Sequence, residues 1–382
     1  MTDTSPPLAG LTIVEFAGIG PGPFAGMMLA DMGATVIRID RPGPAPDRPE
    51  HDFMARGRKS IVLDLKKPDA VQAALNILAD ADGLIEGLRP GVMERLGLGP
   101  DVCMTRNPRL VYGRMTGWGQ DGPLAKAAGH DLNYIALSGG LWAMGEPDRA
   151  PVFPLNLLGD FGGGGMFLAF GMVAALLKAA RTGQGDVVDA AICDGTASLM
   201  AMIYSWRAMG GWHDQRGANL LDGGAPWYGV YQCSDGNWIT IGALEPQFWT
   251  RLLDLLNLPT DAFGDRDDPA NWPAIRAHFT KTFLEHPRAH WVDLMEGTDA
   301  CFAPVLSPAE AAAHPHNAAR QIFTDAAFTQ PMPAPRFKSS RTPLPNAARR
   351  PGSDTTEILE SAGYDTTTIA SLIENGSVTA AT

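Results

Sequence analysis

The sequence predicts an α/β protein, with a parallel β-sheet flanked by helices in its first part and a smaller α+β part after it. Three observations carry this prediction. Strand-like and helix-like stretches alternate from Leu11 to Tyr112, the pattern of βαβ units. A chain of 382 residues is long for one simple core, so length favours two domains. Gly223-Gly224-Ala225-Pro226 then punctuates the chain before a hairpin-like pattern.

The apolar run Leu11 to Phe16 reads as a buried strand, Gly18 to Gly22 as a tight loop, and Phe24 to Met32 as a helix stopped at Gly33. Thr35 to Asp40 supplies the next strand. Ser60 to Leu65, Gly83 to Glu86 and Leu110 to Tyr112 continue the strands, with Asp69 to Ala79 as a helix between them. A glycine-initiated apolar helix is expected from Asp160 to Arg181, and a strand from Asp186 to Ile192. Tyr228 to Gln232 and Trp238 to Ile241, around Ser234-Asp235-Gly236-Asn237, read as a hairpin. Helical patterns follow at Gln247 to Leu256, Trp272 to Leu284 and Asp365 to Glu374, and residues 327–354, rich in Pro, Ala and Arg, suggest an extended crossing. The expected domains are 1–222, 223–325, and 326–382 as a crossing segment and C-terminal helix returning to the first.

A formal net charge of −12 offers no basic field for nucleic acid, so an anionic ligand needs local Arg and Lys clusters. Cys103, Cys193, Cys233 and Cys301 form no C-x-x-C pair, which argues against a zinc site or a disulfide framework and suits a reducing cytoplasm. The N-terminal residues lack the basic and apolar regions of a signal peptide. The apolar stretch Met166 to Leu177 is short for a membrane span and reads as a buried helix.

Gly20-Pro21-Gly22-Pro23-Phe24-Ala25 matches G-x-G-x-x-A after a strand, with Asp40 about 20 residues on, as a dinucleotide fingerprint asks. Pro21 and Pro23 argue against that reading, because they remove N–H donors where a pyrophosphate needs them. Cations recur instead at Arg41, at Arg58 and Lys59, and at Arg89. Three such clusters in an acidic chain suit a ligand with several phosphates if the strand ends converge on one rim; each alone reads equally well as solvated surface.

The chemistry-bearing pair is His130 in Gly129-His130-Asp131-Leu132-Asn133-Tyr134 and Asp160 in Gly159-Asp160-Phe161-Gly162. An imidazole titrates near neutrality and both gives and takes protons, although a lone histidine is more often structural. Asp160, ahead of four glycines, serves equally as a helix N-cap or as a reactive carboxyl beside free helix-start amides that could hold an enolate oxygen. Glu245, at the start of a helix, is either an ordinary N-terminal acid or a carboxylate that orients His130.

Together with Ala30-Asp31-Met32-Gly33-Ala34, Gly57-Arg58-Lys59-Ser60, Arg89-Pro90-Gly91-Val92 and Asn156-Leu157-Leu158, these motifs resemble the family III CoA-transferase superfamily through nearly the whole chain, and within it the alpha-methylacyl-CoA racemases. The resemblance implies a Rossmann-like CoA-binding domain, a smaller domain and an interlocked homodimer. It implies His130 and Asp160 as an acid/base pair supported by Glu245 from the second chain. It assigns Arg41, Arg58, Lys59 and Arg89 to CoA phosphates and adenine, and Gly129, Asp131 and Tyr134 to the thioester and pantetheine. A methionine-rich surface at Met144, Met166, Met200, Met202 and Met209 is implied for the acyl chain, against an even expectation of flexible core filling.

The implied activity is interconversion of (2R)- and (2S)-2-methylacyl-CoA by 1,1-proton transfer through an enolate, with neither metal nor redox cofactor and no nucleic-acid or membrane partner. The runner-up is a CoA-transferase whose Asp160 attacks a thioester and forms an aspartyl-CoA intermediate. It shares most motifs but has no need of His130. A CoA-binding protein without catalysis is a third reading, and has no use for His130, Asp160 and Glu245 together.

Overall fold

The computed structural model describes residues 4–44, 46, 49–259, 261–324, 328–340 and 343–381. Residues 1–3 of the leader reading, the 325/326 domain boundary, and residues 327, 341 and 342 of the extended crossing lie outside the described residues. The chain forms two compact units, one from Met1–Gly139, Pro154–Met200 and Thr324–Thr382, the other from Gly140–Phe153 and Ala201–Phe323. The division departs from the sequence expectation at two places: residues 140–153 and 201–222 belong to the second unit rather than the first.

The first unit is built on strands β1 (Thr12–Phe16), β2 (Thr35–Asp40), β3 (Arg58–Leu63), β4 (Gly83–Glu86), β5 (Val111–Thr116) and β6 (Val187–Ala191). They run parallel in the order β3-β2-β1-β4-β5-β6, and a short strand from the C-terminus, β10 (Val378–Thr379), adds antiparallel to β3. This is the doubly wound Rossmann order, with its reversal between β1 and β4. The central strands are buried on both faces because helices cover both, and the charges they carry, Glu15, Glu86 and Arg114, are held in ion pairs. Helix Pro21–Asp31 carries proline in its first turn, where the missing N–H costs nothing, and is followed by Gly33 at φ +96°. Helix Pro68–Ala79 also starts on proline, and its Ala70, Ala73, Ala74, Ile77 and Leu78 join the core with Ile358, Leu359, Ile369 and Leu372 of the two C-terminal helices.

The expected helix from Asp160 is longer than the sequence suggested. Leu157–Met166 is a π-helix that runs directly into the α-helix Phe167–Thr182. By length and composition this helix of 26 residues could cross a membrane, and half of its most apolar window is buried. The four glycines continue the helix instead of opening it, because close neighbours need their bare backbone. A Cβ at Gly163 would lie 2.5 Å from Thr196 Oγ1, and one at Gly195 would lie 1.9 Å from Gly163 O. The helix Ile192–Leu199 therefore packs backbone to backbone on the glycine run.

The second unit holds an antiparallel sheet of β7 (Tyr228–Gln232), β8 (Trp238–Gly242) and β9 (Phe302–Pro304), the first two forming the expected hairpin. Helices Pro246–Leu255, Trp272–Phe283 and Arg288–Met295 supply Leu252, Phe279, Phe283 and Trp291 to its core.

Candidate active site

A cleft of about 580 Å³ opens where the strand order reverses, the position at which doubly wound sheets take ligands. Its walls are the loops leaving β1 (Gly18 to Pro23), β4 (Gly87 to Pro90) and β5 (Thr116 to Trp118), together with Gly129, His130, Tyr134, Asn156 and Asp160. The β4 loop is fixed from beneath. Glu86 accepts the Leu88 N–H at 2.7 Å while its other oxygen meets Arg114 Nε at 3.0 Å, which leaves Arg89 exposed at the cleft without an ion-pair partner among the described residues.

His130 occupies the N-cap of helix Asp131–Leu137, in extended backbone, with its N–H donated to Asn133 Oδ1 at 3.0 Å. Its main chain is thereby held while its exposed imidazole lines the cleft. Tyr134 lies one turn on and packs edge-on to Trp118, with ring centroids 4.7 Å apart. Its hydroxyl donates to Gly129 O, and its ring fills the space where side chains at Gly117 or Gly129 would stand.

The N-cap reading of Asp160 is not what the structure contains. Asp160 sits inside the π-helix, four residues after the flanking Asn156. Early N–H groups of a helix lack partners within it, and here the Asp160 N–H is satisfied from outside, by Asp131 Oδ1 at 2.7 Å. Asp160 itself lines the cleft. Asn156 Nδ2 donates to its Oδ2 at 3.3 Å, and that oxygen lies 3.2 Å from where a Cβ on Gly20 would stand. The amide of Asp160 is therefore engaged and is not among the free helix-start amides expected to hold an enolate oxygen.

Burial raises the Asp160 carboxyl above its ordinary range, with the Asn156 hydrogen bond opposing, the Asp131 charge adding to the rise and His130 lowering it. The same field reaches Tyr134, which is raised by burial and then by Asp160, with Arg89 acting the other way. A half-buried carboxyl raised by its surroundings and a solvent-accessible imidazole thus share one cleft, an arrangement of two groups each able to give and take a proton.

Five of the sequence-selected residues, His130, Asp160, Arg89, Gly129 and Tyr134, come together at this cleft. The others stand elsewhere. Arg58 opens β3, aligned with Val36 near the start of β2, whereas Arg89 follows the far end of β4. Its side chain is buried: Nη2 meets Glu15 Oε2 at 2.9 Å and Pro23 O at 2.5 Å, and Nη1 meets Arg56 O at 3.0 Å. With its donors spent internally, it does not present itself to a phosphate. Lys59, on the other face of the strand, pairs with Glu357 at 2.6 Å on the surface. Arg41 follows β2 and is exposed but does not line the cleft. Asp131 is buried beneath the cleft wall, with its carboxylate turned to the Asp160 amide. Glu245 belongs to the second unit, exposed at the N-cap of Pro246–Leu255.

Met166 and Met200, the two selected methionines of the first unit, do not line the cleft, while Met54 and Met115 do. Asn156 and Gly20 are the site residues that sequence reasoning passed over. The first stands four residues before Asp160, a spacing that brings side chains together; the second belongs to the loop that matches a dinucleotide fingerprint and reads otherwise as a turn with close helix packing. That loop now has a different use. Helix Pro21–Asp31 begins there with Pro21 and Pro23 in place of N–H donors, and the Asp160 carboxylate lies against Gly20.

A doubly wound sheet with a cleft lined by His130 and Asp160 at its reversal point sets the class of fold. Residues 8–355 match the family described as CoA-transferase family III, and the chain belongs to that family, as an enzyme with an acyl-CoA substrate. It is 43% identical over 360 residues to the alpha-methylacyl-CoA racemase of Mus musculus, covering 94% of this chain and 93% of that protein. It is 42% identical over 361 residues to the Homo sapiens racemase of the same name, with 94% of each covered. Among solved structures, a CAIB/BAIF family protein from Brucella suis superposes with a TM-score of 0.80 at 25% identity, over 94% of this chain and all of that one.

Proposed function

We propose that the protein racemises 2-methylacyl-CoA thioesters by 1,1-proton transfer. The observation that carries this reading is the placement of His130 and the Asp160 carboxyl in one cleft, with Asp160 inside its helix rather than at the N-cap. A thioester acidifies the proton on C2. One group removes it as base, an enolate forms, and the other, as acid, returns a proton to the opposite face. The second half of the exchange needs the same two groups in reversed protonation states, and a carboxyl and an imidazole each serve as acid or base. Likeness to two racemases over nearly the whole chain supports the reading.

Arg89 at the rim is the cation of the cleft for the phosphates of CoA, and Gly129 and Tyr134 flank the thioester. Arg41 and Lys59 remain candidates for the outer phosphates through their exposed side chains. Glu245 acts on His130 in an interlocked homodimer, where a second chain completes the site. Exposed Met166, Phe170, Val173 and Leu177 form one stripe along the long helix, a surface that favours burial against another chain.

The competing transferase reading uses Asp160 as nucleophile and requires an acceptor acid. Incubation of one enantiomer of a 2-methylacyl-CoA, with and without a second carboxylic acid, separates the two. Loss of optical purity at equal rates in both mixtures is expected; turnover only when the acid is present contradicts the proposal.

A further inference from the structure

We propose that Asp131 is a positioning residue for Asp160: its carboxylate fixes the Asp160 backbone and sets the charge against which that carboxyl exchanges its proton. This inference rests on the reading of Asp160 as acid and base.

The geometry is specific. Asp131 is 7% exposed, and its Oδ1 accepts the Asp160 N–H at 2.7 Å. A Cβ at position 159 would stand 2.3 Å from that oxygen, so glycine there is what lets the carboxylate reach the helix start. Its second oxygen is shut away and meets no donor among the described residues. A buried carboxylate oxygen without a donor is costly, and a fold keeps such a group where its charge serves another. Here the neighbour is Asp160, whose carboxyl Asp131 pushes toward the protonated form.

Other groups near Asp160 do not supply the same influence. His130 acts in the opposite sense, and Tyr134 is neutral with its hydroxyl donated to Gly129 O. Arg89 bears on Tyr134 from the β4 loop. On helix Ile192–Leu199, packed against the glycine run, Cys193 is bonded to Asp194. Asp31, the one charged residue of helix Pro21–Asp31, is paired with Arg56. Arg114 of β5 is paired with Glu86 and Glu94, and Asp189 of β6 accepts the Gln120 N–H.

Two substitutions separate the roles. Asp131→Asn retains an oxygen that can accept the Asp160 N–H but removes the charge; Asp131→Ala removes both. Titration of Asp160 is followed by carboxyl carbon-13 NMR, with its signal assigned through Asp160→Asn. Removing a like charge makes ionisation easier, so the Asp160 midpoint moves to lower pH in Asp131→Asn. The limb of the kcat profile governed by Asp160 moves the same way, while KM is unchanged. Asp131→Ala lowers kcat by about 10²-fold through misplacement of the reacting group. An unmoved Asp160 midpoint in Asp131→Asn, or full kcat in Asp131→Ala, overturns the inference. The NMR titration needs no substrate, so it tests Asp131 even where racemisation is absent, a result that would count against the proposed function alone.

Discussion

Gly20 is where backbone and chemistry meet most closely. Its φ of +69° lies in the left-handed region that side chains rarely adopt, and a Cβ there would press on Asp160 Oδ2. Gly20→Ala therefore strains the loop and displaces the carboxyl, and a loss of about 10²-fold in kcat is expected; steady-state racemisation kinetics with full activity in this variant would contradict the geometry. His130, Asp160 and their flanking glycines were legible in the sequence because small neighbours around a titratable group are a local signal. The division of labour between Asp131 and Asp160 was not, since it depends on a hydrogen bond between residues 29 apart. Arg58 misled for a related reason: its charge was visible, but the Glu15 that consumes it lies on another strand.

At the scale of elements, β1 and β3 are joined across β2 by that same ion pair, with side chains 0% and 2% exposed for Glu15 and Arg58. Arg58→Ala leaves the Glu15 charge buried and alone, and a loss of about 3–5 kcal/mol is expected; denaturant unfolding showing less than 1 kcal/mol on the same scale would refute a structural role for this arginine. The alternation of β1 to β5 with helices could be read from apolar runs and their punctuation. Two features could not. β10 has only two residues, too few for any periodicity, and the π-helix across the glycine run is imposed by the neighbouring helix, since glycine alone signals a break rather than a close crossing.

For the whole molecule, the stripe of Met166, Phe170, Val173 and Leu177 leaves large apolar side chains open to solvent, Phe170 to 75%. Association of two chains removes such a surface from water, so sedimentation should give a dimer and Phe170→Glu should weaken it; a monomeric unaltered protein at micromolar concentration would contradict the proposed assembly. The assignment of segments to the two units was only partly legible, because the chain leaves the first unit at residues 140–153 and returns to it at 154 without a compositional break. Proton transfer at one carbon is read most directly by mass-spectrometric analysis of C2 after a single enantiomer of 2-methylacyl-CoA reacts in deuterated water. One deuterium at C2 in the inverted product is expected, with inversion lost in His130→Ala while thioester binding persists. Inverted product without deuterium, or undiminished inversion in His130→Ala, would contradict it.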